Sequence, residues 1–191
     1  MTKATAHNYA SLAPDLQISD WLNTPQPLTL ASLRGKVVVL HAFQMLCPGC
    51  VQLGIPQVQR IYEEFDSKQI AVIGLHTVFE HHEVMGRDAL EVFAYEYRLR
   101  FPIGIDKYEE GQRHSLPLTM RAYQMQGTPT LILIDKTGCV RLHKFGHVSD
   151  LTLGFSIGAL LSEEIAGAAE ISAVTQESAA NAACGTDGCN V

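Results

Sequence analysis

The residues best suited to chemistry in this sequence are two cysteines, Cys47 and Cys50, which stand on either side of a Pro-Gly pair. An apolar run rich in β-branched residues, Val37–Phe43, precedes them, and apolar residues at three- and four-residue spacing follow. We therefore expect Cys47 just after a buried strand and Cys50 in the first turn of a helix. The free N–H groups of a helix N-terminus favour a thiolate over a thiol. The spacing predicts a redox-active dithiol that exchanges disulfides.

Two other interpretations of the cysteine pair stay open at this point. A zinc site would need two further nitrogen or sulfur ligands. The nearest candidates, His76, His81 and His82, follow the next predicted strand without a second cysteine pair. The pair could also be two small buried side chains without chemistry. We expect the dithiol, with no metal site and no organic cofactor, since no nucleotide-binding loop is visible.

Composition and charge argue against several classes of protein. The chain has 191 residues, of which 47% are hydrophobic and 18% charged, as in an ordinary globular domain. Its net charge of −6 argues against binding to nucleic acid phosphates. No apolar run approaches the roughly 20 residues of a membrane span, and the first residues do not resemble a secretory signal. We therefore expect a cytoplasmic protein with no nucleic-acid or membrane partner, in which a disulfide that forms is catalytic or sensory.

Short apolar runs and amphipathic segments alternate along the chain. Strands are predicted at Val37–Phe43, Ile70–Leu75, Phe101–Ile105, Thr130–Ile134 and Cys139–Phe145. Helices are predicted after the cysteine pair, around 90–97, from about Ser115 and over 153–165. Pro56 is expected to kink the first helix, and Leu28–Leu30 is the best strand candidate upstream. This order predicts an α/β fold, with a mixed central sheet flanked by helices.

The domain organisation follows from where these patterns begin and end. One domain is predicted over residues 12–165, after an N-terminal extension over residues 1–11. From residue 166 the chain becomes rich in Ala, Ser, Thr and Asn, which predicts an Ala-rich C-terminal tail over residues 166–191 that is flexible over residues 173–191.

Five stretches of the sequence resemble a known family. They are APDLQI at 13–18, LTLASLRGKVVVLHAF at 28–43, CPGC at 47–50, FPIGID at 101–106 and GTPTLILIDKTGCV at 127–140. Together they resemble the thioredoxin superfamily, and most closely its TlpA/redoxin branch, which is related to the AhpC/TSA peroxiredoxins. The combination of a CxxC pair with a Thr-Pro pair before a strand is the specific part of this resemblance.

The resemblance implies a fold, a site and an activity. The fold would be a thioredoxin fold with an N-terminal hairpin and a strand-helix insertion at roughly residues 76–105. Pro129 would be cis and lie against the cysteine pair, so that Pro48, Thr128 and Pro129 form a platform for substrate. The activity would be thiol–disulfide exchange. Its partners would be a protein or small molecule that contains a disulfide, and an upstream thiol reductant.

Three departures from the family pattern affect these expectations. Leu46 stands where the family usually has Trp, and Pro56 lies one residue later than the corresponding helical proline, which predicts a bulged helix start. A peroxiredoxin would carry Pro and Thr where this chain has Leu40 and Gln44. A thiol peroxidase, in which Cys47 passes through a sulfenic acid, is therefore the alternative rather than the first hypothesis.

His41 takes the place of the buried Asp that thioredoxins keep six residues before the first cysteine. Strand alternation would direct it to the same face as Phe43. An imidazole there could accept the proton of the resolving thiol, and as a cation it would favour the thiolate. The other interpretation is a neutral core histidine with one hydrogen bond.

The last candidate residues are Cys184 and Cys189, which glycines flank near the end of the chain. They could form a second redox pair that exchanges electrons with Cys47 and Cys50, a site for a soft metal such as Cu(I) or Zn, or two spare thiols. A non-enzymatic alternative is therefore a metal-handling or redox-sensing module built on these two residues.

Overall fold

The computed structural model describes residues 11–112 and 115–164, and it shows the predicted alternation of strands and helices. The strands are β1 (Ile18–Leu22), β2 (Val37–Phe43), β3 (Ile70–His76), β4 (Ile103–Asp106), β5 (Thr130–Ile134) and β6 (Val140–Phe145). The α-helices are α1 (Ile55–Glu64), α2 (Arg87–Glu96), α3 (Leu118–Ala122) and α4 (Asp150–Ser162). A short 3₁₀ turn covers Ala31–Leu33, and a π-helical segment covers Cys50–Gly54.

The strands form one mixed sheet in the order β1-β4-β3-β2-β5-β6. Strand β2 lies in its centre, pairs in parallel with β3 and antiparallel with β5, and is buried along its whole length. A strand covered on both faces is apolar at nearly every position, and His41 is the one polar residue of β2. The α/β class and the mixed sheet flanked by helices are confirmed.

The hydrophobic core lies on both faces of this sheet. On one face, Val37, Val39 and Phe43 of β2 belong to a cluster that includes apolar residues of α1, α2 and α4. On the other face, Val38, Leu40 and Ala42 belong to a cluster that includes Met120 of α3. Successive residues of β2 therefore alternate between the two faces as predicted.

One expectation about the N-terminal segment is wrong. Leu28–Leu30 forms no strand; the segment Ile18–Leu22 does so instead, and it pairs antiparallel with β4 rather than within an N-terminal hairpin. Pro56 lies inside a helical run that is continuous over residues 48–64, directly after the π-helical segment and the first residue of α1. The kink expected at Pro56 stays a prediction.

The topology brings two loops together at one end of the sheet. Because β2 and β5 are antiparallel, with Ala42 opposite Thr130, the loop that follows β2 adjoins the loop that precedes β5. The first loop carries Cys47, and the second carries Thr128 and Pro129.

Contacts divide the chain into two units, Met1–Leu161 and Ser162–Val191. All the strands named above belong to the first unit, and the structure describes Ser162–Glu164 of the second. The predicted tail at 166–191, with Cys184 and Cys189, lies outside the described residues, as does the predicted N-terminal extension except Ser11. Within the described ranges, no helix has the length and apolar character needed to cross a membrane.

Candidate active site

Cys47 and Cys50 lie close together at the end of the sheet, and they differ in exposure. Cys47 is half-buried, whereas Cys50 is 0% exposed, and both are free thiols. The backbone N–H of Cys50 donates to Cys47 Sγ over 3.3 Å, and Cys47 Sγ donates to the carbonyl of Thr128 over 3.5 Å. A backbone N–H directed at sulfur stabilises the negative charge that the sulfur carries when it attacks or leaves. Cys47 is thus the sulfur that solvent and substrate can reach.

The helix that begins at this pair has a bulged start, as the late position of Pro56 predicts. Cys50–Gly54 is π-helical, and the α-helical geometry begins at Ile55. A π turn accommodates one more residue than an α turn, and such turns occur frequently at functional sites. Gly54 is the last residue of this π-helical segment and lies about one turn after Cys50.

The Cys50 thiol is strongly held in its protonated form. Burial, together with the neighbouring Cys47 thiol, raises the pKa of Cys50 to about 12. Cys50 must lose this proton before it can attack a disulfide, because the thiolate is the nucleophile. A base near Cys50 would therefore speed the reaction.

His41 is buried beneath this helix start, and its side chain is 1% exposed. Within the described residues neither ring nitrogen has a hydrogen-bond partner. Burial lowers the pKa of His41 to about 4, so the imidazole is neutral near pH 7. The expectation that an imidazolium favours the thiolate is therefore wrong for the resting protein, because the buried ring is too poorly solvated to hold a charge. A neutral ring keeps one nitrogen that can accept a proton.

Thr128 and Pro129 lie against the cysteine pair as the resemblance implies. Their peptide bond is cis. A Cβ added at Gly49 would come 3.3 Å from Pro129 Cδ, so the glycine between the two cysteines packs on this proline. The carbonyl of Pro129 accepts the N–H of Gly146 over 2.8 Å, which ties the loop to the end of β6. Pro48 is exposed beside Cys47.

Gln44 is the residue of this site that sequence reasoning missed. It is buried, and its Nε2 lies 3.4 Å from both Glu80 Oε1 and Thr128 Oγ1. Its Oε1 accepts the N–H of Phe79 over 3.3 Å, and its carbonyl accepts the N–H of Cys47 over 3.3 Å. Gln44 thus joins the cysteine loop, the loop after β3 and the cis-proline loop. A polar residue between an apolar strand and a CxxC pair is the signal that could have identified it.

The zinc interpretation finds no ligand set in the described part of the chain. No group of three or more His, Cys, Asp or Glu side chains converges there. His76 is buried and packs against Phe43, with 5.4 Å between ring centroids.

Comparison with known sequences shows the family to which this chain belongs. Residues 10–143 match the AhpC/TSA family. Protein DipZ of Mycobacterium tuberculosis is 38% identical over 138 residues, which cover 70% of this chain and 18% of DipZ. The thiol-disulfide oxidoreductase ResA of Geobacillus thermodenitrificans is 29% identical over 142 residues, 73% of this chain and 71% of ResA. The matched region is therefore less than a fifth of DipZ and most of ResA.

Two solved structures are similar in both sequence and fold. A thioredoxin-like superfamily protein, SPOA0173, is 55% identical, with a TM-score of 0.77 over 80% of this chain and 97% of that one. A thiol-disulfide isomerase from Corynebacterium glutamicum is 48% identical, with a TM-score of 0.77 over 83% of this chain and all of that one. The fold that the sequence resemblance implies is confirmed.

Proposed function

Because the chain belongs to the AhpC/TSA family and shares the thioredoxin fold of thiol-disulfide oxidoreductases, we propose that it reduces or exchanges disulfides through Cys47 and Cys50. The main support for this proposal is that Cys47 and Cys50 are in contact and differ in exposure. A half-buried sulfur accepts the N–H of a fully buried cysteine three residues later. This is the arrangement that an attacking thiol and an internal resolving thiol require.

The reaction proceeds in two exchanges. The thiolate of Cys47 attacks one sulfur of the substrate disulfide, which forms a mixed disulfide and releases the first substrate thiolate. The thiolate of Cys50 then attacks Cys47 Sγ, which forms the Cys47–Cys50 disulfide and releases the second substrate thiolate. Two electrons pass to the substrate, whose thiolates take up two protons. An upstream thiol reductant returns two electrons and restores the dithiol.

His41 serves in this proposal as the acceptor of the Cys50 proton. Two observations support that role: neither ring nitrogen has a hydrogen-bond partner within the described residues, and the ring lies against Gly54, four residues after Cys50. Because burial raises the pKa of Cys50 and lowers that of His41, this proton transfer is uphill, and the imidazolium is a short-lived species.

Substrate binds along the cis-proline loop. Thr128 and Pro129 are half-buried beside Cys47, and Pro48, the next residue in the chain, is exposed. A peptide that lies along Thr128 would bring its disulfide to Cys47 Sγ, which already contacts the Thr128 carbonyl.

Reduction of insulin by dithiothreitol tests this function. The protein should accelerate insulin reduction, and Cys47→Ser should abolish the acceleration. If the protein consumes hydrogen peroxide with a thiol reductant but leaves insulin unreduced, the peroxidase alternative replaces the proposal. The peroxidase lacks structural support, because the Gln44 amide, at the position of the peroxiredoxin Thr, is engaged with Thr128, Glu80 and Phe79.

The geometry of the cysteine site does not test the predictions about the tail cysteines, the cellular location and the other partners. The metal-handling or redox-sensing alternative depends on Cys184 and Cys189, beyond the described residues. Full insulin turnover by a protein ending at Ala183, together with metal content by mass spectrometry, distinguishes it from the dithiol function. The cytoplasmic location and the lack of nucleic-acid and membrane partners also stay predictions, which cell fractionation tests.

A further inference from the structure

Glu80 brings a negative charge to the rim of the candidate active site. It is exposed, and its Oε1 lies 3.4 Å from the Nε2 of buried Gln44. The same nitrogen lies 3.4 Å from Thr128 Oγ1, so the carboxylate oxygen and the Thr128 hydroxyl are separated by no more than twice that distance. The carboxylate therefore lies within reach of any peptide that occupies the Thr128 loop.

Gln44 fixes this carboxylate relative to the reacting sulfur. Its Oε1 accepts the N–H of Phe79, the residue before Glu80, and its carbonyl accepts the N–H of Cys47. One buried side chain thus connects the backbone beside Glu80, the backbone of Cys47 and the hydroxyl of Thr128. Gln44 is 1% exposed, so its own side chain has a fixed position from which it contacts the exposed carboxylate of Glu80.

The two sequence neighbours of Cys47 add no charge. Leu46 is 58% exposed and Pro48 is exposed, and both are uncharged. An exposed carboxylate together with these apolar neighbours matches a substrate that carries a basic residue next to its disulfide.

We propose that Glu80, held by Gln44, selects disulfide substrates that carry a lysine or arginine beside the reacting cysteine. This inference rests on the proposed function and names the substrate class of the same site. Glu80 acts here as a specificity-determining residue, and the chemistry at Cys47 does not depend on it.

Three synthetic peptides with one internal disulfide test the proposal. They differ in the residues flanking the cysteines, which are Lys, Gln or Glu. The assay measures kcat/KM for reduction with dithiothreitol at pH 8. The wild-type protein should favour the Lys peptide over the Glu peptide by about 5-fold at low ionic strength, and 0.5 M NaCl should reduce this ratio, because solvent-exposed charge pairs are weak and screened by salt.

Two variants distinguish the effect of Glu80 on substrate selectivity from the effect of the net charge of the chain. Glu80→Gln keeps an oxygen that can accept a hydrogen bond from Gln44 and removes the charge. The ratio of kcat/KM for the Lys peptide to that for the Glu peptide should therefore fall to about 1 to 2, because the exposed charge pair is lost. Glu83→Gln is the matched control, since it removes the same charge from an exposed position in the same loop. It should leave the ratio unchanged.

The outcomes distinguish this inference from the proposed function. If the wild-type protein reduces all three peptides equally, or if Glu83→Gln lowers the ratio as much as Glu80→Gln, the proposed selectivity is wrong while disulfide reduction stands. If none of the peptides is reduced, nor insulin, the proposed function fails and this inference fails with it. A reversed preference in Glu80→Lys would be further support.

Discussion

Gly54 lies directly against the buried imidazole of His41: a Cβ added at Gly54 would come 2.4 Å from Cε1 and 2.7 Å from Nε2 of the ring. These distances are shorter than any normal carbon contact, so the glycine provides the space that the ring occupies. Because Gly54 closes the π turn that Cys50 opens, the histidine and the resolving thiol face the same turn of helix.

Gly54→Ala should therefore destabilise the protein, although alanine normally favours a helix. Overpacking of a filled core typically costs about 1–3 kcal/mol, and chemical denaturation measures it. Gly158→Ala in α4 is the matched control, since a Cβ there meets nothing within 4 Å. It should stabilise the protein by about 0.5–1 kcal/mol. Equal effects of the two variants would contradict the close packing of His41 on Gly54.

His41→Ala should slow the second exchange, in which Cys50 resolves the mixed disulfide. General acid–base groups contribute about 10²–10⁴-fold where they act, and stopped-flow measurement of substrate thiol release reports the rate. His76→Ala is the control, because His76 is equally buried and packs against the same Phe43 ring as His41. It should leave the resolution rate unchanged. If both variants resolve at the wild-type rate, His41 is a packing residue.

The two buried histidines should make stability depend on pH in the mildly acidic range. Burial lowers the pKa of both His41 and His76 to about 4, against 6.5 for an ordinary histidine. Between these values the unfolded chain binds protons that the folded chain does not, so stability is full above about pH 6.5 and is lost as the pH falls towards 4.

Each histidine should contribute roughly 1 kcal/mol of lost stability per pH unit in this window. Urea denaturation between pH 4.5 and 6.5 measures the slope, and His76→Phe should make it shallower than in the wild-type protein. An identical slope in the variant would show that His76 titrates normally in the folded state.

Alkylation should distinguish the two thiols of the reduced protein. Cys50 is fully buried and its pKa is raised to about 12, so iodoacetamide at pH 7–8 should modify Cys47 first. Peptide mass spectrometry after short exposures assigns the adducts. Earlier modification of Cys50 would reverse the proposed roles.

The buried strands and the loop chemistry could be predicted from the sequence because they depend on local patterns. Val37–Phe43 and Thr130–Ile134 are strands over the predicted residues, since a strand buried on both faces is apolar at nearly every position. The bulged helix start and the cis Thr128–Pro129 bond followed from family resemblance rather than from the residues themselves.

The features that sequence reasoning missed depend on contacts between distant residues. Ile18–Leu22 is an edge strand of mixed polarity, and its partner β4 lies more than 80 residues away. Leu28–Leu30 is more apolar but packs outside the sheet as part of the core beside it. The neutral state of His41 depends on complete burial, and the role of Gln44 depends on Thr128 and Glu80. None of these contacts between distant residues can be read from the amino-acid sequence.

The central claim, that Cys47 attacks and Cys50 resolves, is tested most directly by trapping the intermediate. Cys50→Ser should accumulate a mixed disulfide between Cys47 and a disulfide-containing peptide, because the variant lacks the thiolate of Cys50 that would attack Cys47 Sγ. Peptide mass spectrometry should find the adduct on Cys47, and Cys47→Ser should form none on Cys50. An adduct on Cys50 in Cys47→Ser with full turnover, or no adduct on Cys47 in Cys50→Ser, would contradict the account.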